Sequence, residues 1–255
     1  MNIVVLAKSA IDEAELRADA QGHPVVKGAA TKLSSFDMNG VEEAVRQKEA
    51  SRGTLTVVSL GGQEAKKAIK EAMAMGCTRG LHIVTEPDDA PDSLATAFCL
   101  AQAVRRLAPV DLVVCSEGAS DTYQGQVGAM VAEFLEMPFL ANARKLDASG
   151  GAATCEQGFE GGVRIVKARL PAVVSMVAEA NVPRYPTLIQ VMVAGKKPIE
   201  DVPFSSLKGA DFPSTGTRVL DVSVQASERK RVTLDGTPEE AARKLAEALG
   251  REGVL

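Results

Sequence analysis

Residues 55–84, LTVVSLGGQEAKKAIKEAMAMGCTRGLHIV, decide the fold class. LTVVSL (55–60) is an apolar run of strand length. Beyond Gly61-Gly62, Ala65, Ala68, Ile69, Ala72 and Met73 recur at i, i+3, i+4, i+7 and i+8, the spacing of one apolar helix face. Gly76 stands where such a helix ends, and GLHIV (80–84) reads as the next buried strand. Strand, helix, strand in this order makes a βαβ unit, which calls for parallel strands with helices covering the sheet.

The alternation continues on both sides. NIVVL (2–6) predicts a strand, followed by a polar excursion to about residue 35. DMNGVEEAVRQKEA (37–50) predicts a helix that opens at an acidic N-cap, Asp37. Residues 92–107 predict another, with Leu94, Phe98, Ala101 and Val104 or Arg105 along one side. DLVVC (111–115) is the fourth core strand, and 121–136 read as helix with Val127, Val131 and Phe134 in register. After Pro138 the pieces become shorter, and Gly150-Gly151 and Gly161-Gly162 mark hairpin turns of antiparallel strands added to the edge of the parallel core. Residues 196–232 contain Pro, Gly and Ser and predict an extended arm. Thr237-Pro238-Glu239-Glu240 then supplies an N-cap, a first-turn Pro and a capping-box Glu for a terminal helix carrying Leu245 and Leu249. The expected architecture is an α/β domain over residues 1–200, with a C-terminal arm and helix over 201–255.

A net charge of −4 argues against binding nucleic acid through bulk charge. No apolar stretch approaches the roughly 18–20 residues that cross a bilayer, so an integral membrane protein is not expected. The opening MNIVVLAKSAID lacks a basic leader, and its apolar run is too short for a signal peptide; a cytoplasmic location is expected. Cys77, Cys99, Cys115 and Cys155 form no CxxC pair, and Cys99 and Cys115 sit inside apolar patterns, so neither a disulfide framework nor a zinc site is expected. His23 and His82 are the only histidines, and His82 reads as a strand residue. A hydrolase using Ser116 or Ser120 would therefore lack its base.

Ligands of open parallel sheets bind outside the carboxyl ends of the strands. Ala7-Lys8-Ser9, Ser59-Leu60-Gly61-Gly62 and SEGASDTYQGQVG (116–128) should converge there. Gly61 and Gly62 permit close backbone approach before a helix N-terminus, which favours an anion. Gly118, Gly125 and Gly128 allow a tight path, while Ser120, Thr122, Gln124 and Gln126 offer polar groups to phosphate or hydroxyl oxygens. Ordinary turn chemistry and a helix cap at Asp121 or Thr122 explain the same residues equally well. Neither GxGxxG nor GxxxxGK[ST] is present, so a Rossmann dinucleotide site or a Walker loop is not indicated.

Several segments in order resemble the β subunit of electron transfer flavoproteins: MNIVVLAK, SSFDMNGVEEAVRQKE, TVVSLGG with AIKEAMAMGCTRGLHI, DSLATA, GQVG, RLPAVVSMV and, most specifically, NVPRYPTLIQVMVAGKKPIE. The resemblance spans nearly the whole chain. It implies an adenine-nucleotide α-hydrolase-like (HUP-type) fold and an electron carrier without catalytic residues or metal of its own. It further implies a heterodimer with an α subunit that holds most of the FAD, loaded by flavin dehydrogenases and discharged to a quinone reductase or other acceptor. The β-subunit site of that family takes a structural AMP, or a second FAD in electron-bifurcating members. The positions carried over are Ala7, Ser34, Val58, Leu60, Ala119, Thr122, Gly125, Gln126 and Val127, with Phe36 beside the flavin. Departures lie at Ser34 and Ser35, where the family has Asn and Pro, and at Thr122 and Tyr123, where it is commonly acidic. Ser116-Glu117-Gly118 stands in place of the family's Gly-Lys-Gln.

Asn181 to Leu188 is stiffened by Pro183 and Pro186, and Leu188 follows as an apolar residue that packs in the core on its bare pattern. The resemblance instead makes this a partner-recognition loop with Leu188 as its anchor, Arg184 and Lys196-Lys197 steering acidic partners, and the arm and terminal helix wrapping the α subunit. A stand-alone ATP- or AMP-binding module of the stress-protein type shares the expected sheet but leaves NVPRYPTL and the arm unexplained.

Overall fold

The computed structural model describes every residue except 27, 87, 88, 90, 210, 214, 215, 218, 224–229 and 255. The strands are β1 (Asn2–Leu6), β2 (Ser9–Ile11), β3 (Thr31–Leu33), β4 (Thr54–Gly61), β5 (Arg79–Val84), β6 (Leu112–Ser116), β7 (Phe139–Ser149), β8 (Ala152–Phe159), β9 (Gly162–Arg169), β10 (Ala172–Met176) and β11 (Ile199–Pro203). The helices are α1 (Ser35–Ser51), α2 (Ala65–Met75), α3 (Ser93–Arg106), α4 (Val127–Leu135), α5 (Leu188–Lys196) and α6 (Pro238–Arg251). Nine strands form one sheet in the order β11-β5-β4-β1-β6-β10-β7-β8-β9. From β11 to β7 the pairing is parallel, and β8 and β9 continue it antiparallel at one edge.

The core follows the two-residue period of the strands. Ile3, Val5, Leu112 and Val114 face the layer of α1 and α2, while Val4, Leu6, Val113 and Cys115 face α3 and α4. The five apolar positions read on α2 are all buried, and Gly76 ends the helix at φ +139°. The β7–β8 hairpin turns at Gly150 and Gly151, both at positive φ, the backbone hand that matches strand twist. The polar excursion of residues 9–33 folds into a small antiparallel ribbon of β2 and β3, braced by Lys32 against Asp12 and Glu13.

Four expectations are corrected. Helix α1 starts at Ser35 with Ser34 as its capping residue, so Asp37 lies inside the first turn rather than ahead of it. Helix α4 starts at Val127, not at 121, because Tyr123 and Gly125 take φ of +42° and +65°, in the left-handed region that a helix cannot continue through. Leu188 opens a helix, α5, and is 75% exposed, which excludes core packing. Strands β7 and β10, expected among the antiparallel edge additions after Pro138, instead pair in parallel, with β10 between β6 and β7; farther on, β11 pairs with β5, and Val202, Phe204 and Leu207 are buried beside α3. Parts of the expected arm, at 210, 214, 215, 218 and 224–229, lie outside the described residues. Helix α6 has the expected Thr237–Glu240 capping box and no buried residue. Among the described residues, no helix is long and apolar enough to cross a membrane.

Candidate functional site

Strand β1 is the switch point of the sheet. The chain leaves it through α1 to β4 on one side, and β6 lies on the other. Loops leaving neighbouring strands toward opposite sides open a crevice at their carboxyl ends. Three segments close around it here. The Ala7 N–H donates to Val58 O at 3.0 Å, tying the loop after β1 to β4. The Ser34 N–H donates to Lys8 O at 3.0 Å, and the Ser34 hydroxyl accepts from the Ser120 N–H at 3.2 Å. Across the opening, Lys8 Nζ pairs with Asp121 at 2.7 Å and lies 3.4 Å from the Thr122 hydroxyl.

The loop between β6 and α4 takes its shape from unusual backbone. Tyr123, at positive φ, donates its N–H to Ala119 O and lays its ring against Phe36, with centroids 5.4 Å apart. Gly125 turns the chain toward Gln126, the residue capping α4. The Ser93 hydroxyl at the start of α3 bonds Gln124. Gly128 then brings α4 onto β6 so closely that a Cβ there would lie 2.6 Å from Cys115 Sγ. The structure thus gathers Ala7, Ser34, Phe36, Val58, Ala119 and Thr122 around one crevice, with Leu60 at the end of β4 and Gly125, Gln126 and Val127 on the loop leading into α4.

Two features of the crevice went unread in the sequence. Asp37 is buried, accepts the Lys8 N–H at 2.7 Å, and has its carboxyl pushed up to about 7 by burial, against the opposing pulls of the Ser116 hydroxyl and Lys8. The buried hydroxyls of Ser9 and Ser59 make no hydrogen bond among the described residues, while the Ser116 hydroxyl lies against the Asp37 carboxyl and that of Ser120 against Glu13. Each unpaired buried hydroxyl costs roughly 1–3 kcal/mol, and Ser9 and Ser59 stand just beyond β1 and near the end of β4, at the carboxyl edge of the sheet. No short-range signal marks Asp37, because its partner lies 29 residues away. A cavity of about 330 Å³ flanks the crevice on its β10 side, lined by Glu117, Asn142, Arg144, Gly158, Val177 and Glu179.

His82 is a fully buried strand residue, its Nε2 3.0 Å from Gly61 O and its Nδ1 3.1 Å from Asp201. It joins β4, β5 and β11. All four cysteines are buried and free.

A second surface lies apart from the crevice. Helix α5 exposes Leu188, Ile189, Val191, Met192 and Val193, and buries Ala194. Thr187 and Gln190 form a capping box at its start, a Thr-x-x-Gln signal that the sequence carries openly. Just before it, Arg184 is engaged within the chain by Glu42 and Glu49 of α1.

The electron transfer flavoprotein domain matches residues 25–207, most of the α/β body. Over 254 residues the chain is 32% identical to the electron transfer flavoprotein subunit beta of Bacillus subtilis strain 168, covering 99% of this chain and 98% of that protein. It is 30% identical to the subunit beta of Thermoanaerobacterium thermosaccharolyticum over the full length of both. With the subunit beta of Mycobacterium tuberculosis H37Rv it shares 31% identity over 90% of this chain and 88% of that protein.

Proposed function

The chain belongs to the electron transfer flavoprotein family, among its β subunits, and on that premise we propose that it pairs with an α subunit, holds a structural AMP in the crevice at β1 and β6, and helps carry electrons from flavin dehydrogenases to a quinone reductase or other acceptor. The FAD is held mainly by the α subunit and supplies the redox chemistry when bound. This chain contributes shape, a nucleotide site and partner recognition.

The observation that carries the nucleotide assignment is the convergence of the loops after β1 and β6 and the start of α1 on one crevice at the switch point. The residues present fit AMP. Ala7, Leu60, Ala119 and Val127 offer backbone and apolar contact, Thr122, Gly125 and Gln126 line the polar side, and the fully buried Val58 and Ser34 fix the loops from behind. Phe36 stands at the mouth, where it would meet the flavin. The apolar residues left exposed along the C-terminal segment, Val219, Leu220, Val222, Val232 and Leu245, support its wrapping of the α subunit.

The test is to denature the purified complex and identify what it releases. One FAD and one AMP per heterodimer is the expected result. Two FAD and no AMP would overturn the AMP assignment in favour of a bifurcating type. A chain that purifies alone, carrying ATP and no flavin partner, would overturn the electron-carrier reading.

A further inference from the structure

We propose that Arg184 and Lys70 are positioning residues that hold helix α5 from both ends, so that an electron-donating partner meets a preformed apolar surface; this rests on reading residues 181–193 as the docking segment. The need for such a hold follows from α5 itself. It is nine residues long, exposes most of its side chains and buries only Ala194. A helix this short does not persist in water on its own propensity. Its order comes from Ala194, packed in the core layer of α2, and from its two ends.

At the N-terminal end, Arg184 reaches back to α1. Its Nε donates to Glu42 at 2.8 Å and Nη1 to Glu49 at 2.7 Å, while Nη2 divides between Glu49 at 3.1 Å and Glu42 at 3.3 Å. Its backbone N–H adds a bond to Glu42 at 3.1 Å. The Glu42 side chain is 4% exposed and is shared with Arg46. Burial alone would raise the Glu42 carboxyl, but the Arg184 and Arg46 donors hold it below its ordinary range. Beside this network, Asn39 and Asn181 bond each other in both directions, Asn39 Nδ2 to Asn181 O at 2.7 Å and Asn181 Nδ2 to Asn39 O at 3.1 Å. A guanidinium spent on two carboxylates has little charge left to steer an acidic partner.

At the C-terminal end, the ammonium of Lys70 on α2 lies among the last carbonyls of α5. It donates to Ala194 O and Gly195 O, both at 3.1 Å, and to Lys197 O. Ala194 O also accepts the Lys197 N–H at 3.1 Å, and with Gly195 O and the carbonyl of the capping Lys197 it forms the negative end of the helix, where a cation is stabilising. Helices α1 and α2 are packed on the sheet, so both holds lead to rigid elements. Presetting the surface removes an ordering cost that a partner would otherwise meet on binding. Loosening it should weaken docking and leave transfer within the docked complex unchanged.

The experiment uses the FAD-loaded heterodimer carrying Arg184→Met, Arg184→Lys, Lys70→Met, Glu49→Gln or Leu188→Ala. Two quantities are read: amide hydrogen exchange across 182–193, and the KM and kcat of a flavin dehydrogenase that reduces the wild-type heterodimer. For Arg184→Met and Lys70→Met, exchange should accelerate about tenfold, and KM should rise about tenfold with kcat within about twofold. Arg184→Lys should fall between, since an ammonium cannot bridge two carboxylates as a guanidinium does. Glu49 is half exposed, so Glu49→Gln loosens the same end with little risk to folding should Arg184→Met fail to assemble. Unchanged exchange in both end variants overturns the proposal. So does a rise in KM for Arg184→Met with exchange unchanged and salt dependence lost, which is the signature of steering. Leu188→Ala separates the premise: an unchanged KM there overturns the docking reading itself, whereas a raised KM with unchanged exchange keeps it and leaves the end variants to decide the hold.

Discussion

Asp37→Asn tests the burial of a carboxyl at the crevice through its dependence on pH. Asp37 is 5% exposed and its Oδ2 accepts the Lys8 N–H. Burial raises its carboxyl from 3.8 to about 7. A carboxyl raised in the folded state holds its proton more tightly there than in the unfolded chain. Its stabilising contribution is therefore complete below about pH 4 and is lost as the pH climbs toward 7. At 1.36 kcal/mol per pKa unit, the ceiling on that loss is about 4 kcal/mol. Asn keeps an oxygen acceptor for the Lys8 N–H and carries no charge at any pH. The variant should come within about 0.6 kcal/mol of wild type at pH 4, exceed it by about 1.7 kcal/mol at pH 5, and exceed it by about 4 kcal/mol near pH 8. Urea midpoints of both heterodimers, taken at equal subunit concentration across about pH 5 to 8, give the difference directly. Effects of pH common to both proteins cancel in that difference. A gap that stays constant, or that narrows as the pH rises, refutes the burial argument.

Three further outcomes follow from particular contacts. Leu188→Ala should leave the thermal midpoint unchanged, because the side chain is 75% exposed. Loss of an anchor worth roughly 1.5–3 kcal/mol should nevertheless slow reduction by the partner dehydrogenase about 10- to 150-fold at limiting concentration, with flavin content intact by absorbance. Gly128→Ala should destabilise the protein by about 1–3 kcal/mol in urea melts, because the added methyl meets Cys115 Sγ at 2.6 Å inside a packed layer. Burial pushes the thiols of Cys77, Cys115 and Cys155 up to about 12 and that of Cys99 up to about 11. A bulky disulfide reagent should accordingly leave this chain unmodified in the native heterodimer at about pH 8 and label four thiols after denaturation.

Strands β1, β4, β5 and β6 were legible because each announces itself as a nearly continuous apolar run, whereas β10 was read with the antiparallel additions although it lies parallel between β6 and β7. The helices α2 and α3 were legible because their apolar stripes face the sheet. What the sequence concealed depends on partners far along the chain. Strand β11, IEDVP, buries Val202 alone of its five residues and becomes a strand by pairing with β5, more than a hundred residues earlier. An Asp ahead of an apolar helical pattern reads as a cap, yet Asp37 sits in the first turn of α1 because the chain bends at Ser34 to reach Lys8. The segment 121–126 contains residues that a helix accepts, and only the φ of Tyr123 and Gly125 forbids one. Helix α5 differs: Thr187 and Gln190 mark its start in plain view, and the prolines on either side of Tyr185 drew the reading toward a loop. At the crevice the backbone path was readable from glycines and small residues, while the unpartnered serines become visible only once the strands stand side by side.

Helix α1 links the two functional surfaces. Its first turn supplies Ser34 and Phe36 to the crevice, and Gly40 lets it rest on the end of β6, where a Cβ would come within 3.1 Å of Ser116 Oγ. The next turns present Asn39, Glu42 and Glu49 to the docking segment, and Gln47 binds the helix to β7 through Leu146 O and the Ala148 N–H. This accounts for a helix with five buried polar side chains, Asp37, Asn39, Glu42, Glu43 and Gln47, and a weak apolar stripe. Burying so many polar groups is tolerable only when each is paired, and their partners come from the crevice, the docking segment and the sheet edge. On the proposed reading, electrons enter near α5 and reach a flavin beside Phe36. The relation between those two points is then set by one packed helix rather than by a chain of loops, and a loss of packing along α1 changes nucleotide retention and partner docking together.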